Sequence, residues 1–225
     1  MIIVTGGSSG LGKAVTEDLR QKGENVVTIS RGNNSEYKNH FSCDVTNYQS
    51  LKEVYLHLST NGHKIRALVN CAGIASMNLA LTTPPLITER VIRTNLIGTI
   101  YTNQIFAPLL IKNKGGRIIN FSTIAVHLGL KGESVYVASK AGVEGFSRVF
   151  AKELAPFNIT VNCIAPGPIK TNLLKGISDD QIKKIVSNQT ISNIMQPSAI
   201  TEMVSLLLRE ESRNITGEVI NVGGV

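Results

Sequence analysis

Strand-like and helix-like stretches alternate along this chain, and that alternation constrains its fold more than any other feature. Residues 2–5 form a short β-branched run closed by Gly6 and Gly7. Residues 11–21 carry apolar side chains at helical spacing and stop at Gly23. The pattern continues with a strand at 25–29, a helix at 48–58 and a strand at 67–70. A helical stretch with a break near Asn95 covers 86–112, followed by a strand at 117–121, a helix at 135–154 and a strand at 159–164. A helical pair at 179–186 and 198–208 precedes a last strand at 218–222. Such βαβ units impose right-handed crossovers and a parallel sheet covered by helices on both faces. The predicted fold class is α/β, one doubly wound, three-layered domain over residues 1–225. In open sheets of this kind ligands lie beyond the carboxyl ends of the strands, which makes the stretches after Asn70, Phe121 and Ile164 candidate ligand loops.

Composition excludes several functions. With 42% hydrophobic and 17% charged residues in 225, the chain can bury a full core and is not disordered. The net charge of +7 is dispersed. Its densest groups, Lys112, Lys114 and Arg117, and Lys183 with Lys184, lack interleaved aromatics, which argues against nucleic acid. Cys43, Cys71 and Cys163 are odd in number and without CxxC spacing, so they indicate no disulfide framework and no metal site. Reduced thiols fit a cytoplasmic protein. The apolar opening is too short for a signal peptide, and residues 96–111 are interrupted by Asn103, Gln104 and Pro108, as in a buried helix and not a membrane span.

Between the first strand and first helix stands Thr5-Gly6-Gly7-Ser8-Ser9-Gly10-Leu11-Gly12. Glycines at 6, 10 and 12 let the backbone turn sharply and approach a pyrophosphate, which the helix N-terminus attracts through free N–H groups and its dipole. Set between a strand and a helix, this reads as a Rossmann-type dinucleotide loop, the alternative being a glycine-rich turn needed only for packing. The second strand ends in Ser30-Arg31-Gly32, without the acid that usually binds an NAD ribose. The Arg31 guanidinium suits a 2′-phosphate instead, so NADP(H) is preferred over NAD(H). Asp44 offers an acceptor for an adenine amino group, or a turn or cap.

Tyr136 and Lys140 sit four residues apart in a helical segment, on one face. An ammonium beside a phenol favours the phenolate and lowers the tyrosine pKa, which suits proton transfer.

Together these motifs resemble the short-chain dehydrogenase/reductase family over essentially the whole chain. The resemblance rests on the glycine loop, Cys43-Asp44-Val45-Thr46, Asn70-Cys71-Ala72-Gly73, Asn95, Tyr136-Val-Ala-Ser-Lys140, Asn162-Cys-Ile-Ala-Pro166-Gly167 with Thr171, Ile215-Thr-Gly217 and Asn221-Val-Gly-Gly224. Within the family the chain looks most like the 3-oxoacyl-[acyl-carrier-protein] reductases. The resemblance implies NADPH-dependent reduction of a ketone to a secondary alcohol. Tyr136 would be the general acid, Lys140 would tune it and hold the nicotinamide ribose, and Asn95 would hold a water of a proton relay. Cofactor contacts would come from Gly6, Ser8, Ser9, Gly10, Leu11, Gly12, Arg31, Asp44, Val45, Asn70, Ala72, Gly73, Tyr136, Lys140, Pro166, Gly167, Ile169 and Thr171.

The chain departs from the family at the usual serine thirteen residues before the tyrosine, where it has Thr123. Its hydroxyl is expected to replace the serine, while neighbouring Ser122 would point the other way along the strand end. Cys71 in place of the usual asparagine is expected to be a packing change. The substrate is expected to be a small-molecule carbonyl, including one carried on an acyl-carrier protein docked through Lys112, Lys114 and Arg117. Phe157, where that branch often has a basic residue, weakens the carrier reading. His127 is either a further substrate contact or, more in keeping with its loop, a histidine without a role, and residues 172–193 are a candidate compact lid. Helices 96–112 and 135–154, apolar on more than one face, are expected to pair in a homodimer or homotetramer. Two alternatives stay open: a non-catalytic NADP(H)-binding protein, and a dehydrogenase working oxidatively.

Overall fold

The computed structural model describes residues 1–32, 37–169 and 186–224. Seven strands are described: β1 (Ile2–Thr5), β2 (Val26–Ser30), β3 (His40–Ser42), β4 (Ala67–Asn70), β5 (Gly116–Phe121), β6 (Ile159–Pro166) and β7 (Val219–Val222). They form one parallel sheet in the order β3-β2-β1-β4-β5-β6-β7. The order reverses between β1 and β4, and the crevice at such a switch point is where this class of sheet binds ligands.

The central strands are apolar on both faces because helices cover both. On one side α1 (Gly10–Gln21) and α7 (Pro197–Leu207) pack Val15, Leu19, Ile200 and Val204 onto Ile2, Val4, Val69 and Ile119. On the other, α2 (Tyr48–Thr60), α4 (Gly98–Lys112) and α6 (Ser134–Leu154) pack Leu51, Phe106, Leu110 and Ala151 onto Ile3, Ile29, Leu68 and Ile118. Each fully buried Ile or Leu contributes roughly 1.5–3 kcal/mol of hydrophobic stabilisation. Two shorter helices, α3 (Pro85–Ile92) and α5 (Ala125–Leu128), complete the elements used below.

The predicted strands and helices appear within a few residues of their expected ends, with one correction. The helix does not break near Asn95. A π-helical turn, Arg93–Ile97, joins α3 to α4 with helical dihedrals on either side. One extra residue in a turn shifts the helix face without ending the helix. The predicted helix at 179–186 lies outside the described residues up to its last position.

At the carboxyl edge Thr5, Asn70, Asn120 and Cys163 stand side by side in register. Asn70 Nδ2 donates to Asn120 Oδ1 at 2.8 Å, Asn120 Nδ2 to Ser147 Oγ at 2.8 Å, and Thr102 Oγ1 to Asn70 Oδ1 at 2.8 Å. Buried polar groups that satisfy one another in this way fix a single arrangement. Here they align the strand ends from which the ligand loops start.

Candidate active site

A cavity of about 620 Å³ opens beyond the carboxyl ends of the strands. One end is the loop between β1 and α1. Gly6 has φ +68°, and a Cβ there would lie 2.9 Å from the Ala72 backbone; a Cβ on Gly12 would lie 2.3 Å from the Gly6 carbonyl oxygen. Only glycine lets β1, α1 and the loop after β4 approach so closely. Ser9, the N-cap of α1, makes no side-chain cap, so the first-turn N–H groups are left for an anion.

The cavity is lined by Gly6, Ser8, Ser9, Gly10, Leu11, Gly12, Arg31, Asp44, Val45, Ala72, Gly73, Thr123, Tyr136, Lys140, Pro166, Gly167 and Ile169. Asp44 Oδ1 accepts from both the amide and the hydroxyl of Thr46, each at 2.8 Å, so this side chain holds its own turn while facing the cavity. The buried Ser30 hydroxyl, also on the wall, has no hydrogen-bond partner among the described residues, and a ribose would supply one. A free helix N-terminus, glycines at close approach and an orphaned hydroxyl beside Arg31 fit a dinucleotide. Thr171 lies outside the described residues, as do residues 172–185 of the expected lid.

Two expected cofactor or catalytic residues stand behind the wall. Asn70 is 3% exposed and wholly engaged in the strand-end network. It stands behind the cavity lining and supports the loop. Asn95, fully buried in the π-turn, accepts from Ile74 N at 2.8 Å and donates to Ile74 O at 2.9 Å and Ser139 Oγ at 3.1 Å. Its side chain clamps the loop after β4 through both backbone groups of Ile74. The clamp lies close to Lys140: a Cβ on Gly73 would stand 3.3 Å from Asn95 Oδ1 and 3.6 Å from Lys140 Nζ.

Thr123 follows β5, its Oγ1 accepting from Ala125 N at 3.3 Å, and its side chain lies close enough to the Tyr136 phenol of α6 to favour the phenolate. Ser122 points away, as strand alternation predicts, and its hydroxyl donates to Glu144 in the core. Lys140 is 6% exposed and donates to the Phe121 carbonyl at 2.8 Å. The structure therefore gathers Thr123, Tyr136 and Lys140 around one point of the cavity.

The electrostatics correct one expectation. Burial holds the Tyr136 phenol above its usual range, the Glu133 carboxylate pushes it further up, and the Thr123 side chain draws it partly back. The ammonium does not dominate, because desolvation penalises the phenolate and Lys140 points at a carbonyl. Burial also lowers Lys140 to about 8, against small upward pulls from Cys163 and Cys71. Cys71 is pushed up to about 12 by burial and packs against the core, consistent with a spectator thiol.

One further expectation is corrected. Lys112, Lys114 and Arg117 sit at the amino end of β5, across the sheet from the cavity, and Arg117 is paired with Glu210 at 3.0 Å. They cannot dock a carrier beside Thr123. His127 is exposed on α5 and does not line the cavity. Sequence reasoning also missed Glu133, which lines the cavity one turn before Tyr136. Its i, i+3 spacing to the tyrosine was the available signal.

Comparison with known proteins places the site in context. The family profile described as "Enoyl-(Acyl carrier protein) reductase" matches residues 6–224. Carbonyl reductase family member 4 of Xenopus tropicalis is 37% identical over 98% of this chain and 95% of its own length. The 3-oxoacyl-[acyl-carrier-protein] reductase FabG of Vibrio harveyi is 32% identical over 99% and 95%. Among solved structures, ligand-free aldohexose dehydrogenase of Thermoplasma acidophilum superposes with TM-score 0.89 at 30% identity, covering 99% of this chain and 92% of its own. A 4-hydroxyisoleucine dehydrogenase complexed with NADH and succinate has TM-score 0.90 at 25% identity over 100% and 98%. ElxO with NADP bound has TM-score 0.89 at 26% over 98% and 96%. With a nucleotide cradle at the sheet switch point and a tyrosine–lysine helix beside it, the chain belongs to the short-chain dehydrogenase/reductase family of NAD(P)-dependent oxidoreductases.

Proposed function

We propose that this enzyme reduces a ketone to a secondary alcohol with NADPH. The carrying observation is the pairing of the Thr123 and Tyr136 side chains on the cavity wall, with Lys140 buried behind them. A carbonyl oxygen placed between the two hydroxyls receives two hydrogen bonds, which strengthen as negative charge develops on it. The nicotinamide, when bound, supplies the hydride. Tyr136 then gives its proton to the nascent alkoxide. The phenol is protonated at neutral pH, as a proton donor in reduction must be. Lys140, lowered only to about 8, remains largely a cation there and steadies the phenolate left behind.

The NADP(H) preference rests on Arg31, which lines both the main cavity and an adjoining one of about 290 Å³ shared with Asp44, Glu89, Arg90 and Arg93. Three guanidiniums against two carboxylates leave that corner net positive, as a 2′-phosphate requires. The names of the relatives support a carbonyl or 3-oxoacyl substrate, and any carrier protein would dock elsewhere than on Lys112, Lys114 and Arg117. Among the described residues no helix is long and apolar enough to cross a membrane, and all three cysteines are free, in keeping with a cytoplasmic setting. Val149 of α6 is 57% exposed, which supports pairing into a homodimer or homotetramer, checked by sedimentation.

The test is NADPH oxidation with a panel of ketones by the wild type and Tyr136→Phe. Turnover should fall at least 10²–10⁴-fold, roughly the worth of a positioned acid, while NADPH binding stays near normal. A variant that retained most of its activity would exclude Tyr136 as the acid.

A further inference from the structure

Glu133 has a place in the cavity that the reduction above does not use. It immediately precedes α6, one turn ahead of Tyr136, and lines the cavity with Thr123, Leu130 and Tyr136. Its carboxylate lies near enough to the phenol for its charge to bear on it. The carboxylate makes no capping bond to α6, and among the described residues it has neither hydrogen-bond nor ion-pair partner. Burial holds its own carboxyl above the usual range.

Glu133 is only half-buried, and its charge on the cavity wall opposes ionisation of the general acid. A negative charge is favourable at a helix N-terminus, but that would hold equally for a side chain turned to solvent. A carboxylate that faces the cavity without a side-chain partner is available to a donor on a ligand.

We propose that Glu133 determines substrate specificity by accepting a hydrogen bond from a hydroxyl on the carbon beside the reacting carbonyl, so that the preferred substrates are hydroxyketones. This rests on the carbonyl-reductase reading of the cavity. An ionised carboxylate only accepts hydrogen bonds, so its complement is a donor. Thr123 and Tyr136 are committed to the carbonyl oxygen, and Glu133 is a further polar group on the same wall, one turn before Tyr136. A hydroxyl fits better than an ammonium because Lys140 already places one buried cation in this cavity.

The experiment compares kcat/KM for 1-hydroxybutan-2-one and butan-2-one, with NADPH, in the wild type, Glu133→Gln and Glu133→Leu. The ratio is compared between variants, so the greater intrinsic reactivity of the hydroxyketone cancels. The wild-type ratio should exceed that of Glu133→Leu by roughly 10- to 100-fold, the effect of a hydrogen bond to a charged group. Glu133→Gln, whose amide oxygen still accepts, should fall between and serves if the leucine variant does not fold. Equal ratios in wild type and Glu133→Leu would overturn the inference while leaving the reductase reading intact. A wild-type preference for 1-aminobutan-2-one over the hydroxyketone, lost in Glu133→Gln, would overturn the hydroxyl assignment. Failure of the wild type to reduce any of the three would remove the reductase reading and this inference with it.

Discussion

Asn95→Ala tests whether the π-turn asparagine is a clamp. The wild-type side chain satisfies both backbone groups of Ile74, at 2.8 and 2.9 Å, and donates to Ser139 Oγ at 3.1 Å. Alanine leaves the Ile74 amide and carbonyl without that partner, while Ser139 keeps its bond to the Tyr136 carbonyl at 2.6 Å. An orphaned buried polar group costs about 1–3 kcal/mol, and there are two. Ile74 borders the cavity, so water can reach part of the loss, which puts the total at about 2–4 kcal/mol. In a chain of this length that lowers Tm by roughly 2–4 °C for each kcal/mol. The assay is urea unfolding at fixed protein concentration, followed by circular dichroism, alongside the KM for NADPH. Because Ile74 continues the loop that carries Ala72 and Gly73, KM should rise with the loss of stability. A loss below about 1 kcal/mol with an unchanged m-value would refute the clamp.

Replacing the Thr123 hydroxyl while keeping its shape, in Thr123→Val, should lower kcat by roughly 10²–10³-fold, whereas Thr123→Ser should stay within about tenfold of wild type; steady-state kinetics separate the two. Arg31→Ala should raise the KM for NADPH far more than that for NADH, by about tenfold or more, and equal effects on both would remove the 2′-phosphate assignment. The pKa of Lys140 is lowered from 10.5 to about 8, so above pH 8 the unfolded chain binds the extra proton. Its burial therefore weakens the fold at neutral pH by up to about 3 kcal/mol, a penalty relieved as pH rises from about 8 to 10.5. Cys43 and Cys163, both pushed up to about 11, work in the opposite direction as pH passes 9. The Lys140 contribution is therefore read as wild type minus Lys140→Met in pH-dependent unfolding, where the difference should shrink above pH 8.

Most of the fold was legible because its signals are local. β-branched runs, helical periodicity and glycine stops depend on neighbours in sequence, and alternation of strands and helices leaves few topologies. The glycine loop was legible for the same reason, since a turn's stereochemistry is set by its own residues. The π-turn was not: Asn95 reads as a break until its bonds to Ile74, 21 residues away, show why the helix continues.

The sequence by itself determined the sheet, the cofactor cradle and the tyrosine–lysine helix, because each is written in contiguous residues. Tertiary structure decided what surrounds them. It turned Ser122 to Glu144 and Thr123 to Tyr136. It carried Lys112, Lys114 and Arg117 to the far end of the sheet and placed Glu133 on the cavity wall. It also reversed the expected direction of the Tyr136 pKa, because desolvation depends on the packing of the whole chain around the hydroxyl and not on the spacing of two residues along a helix.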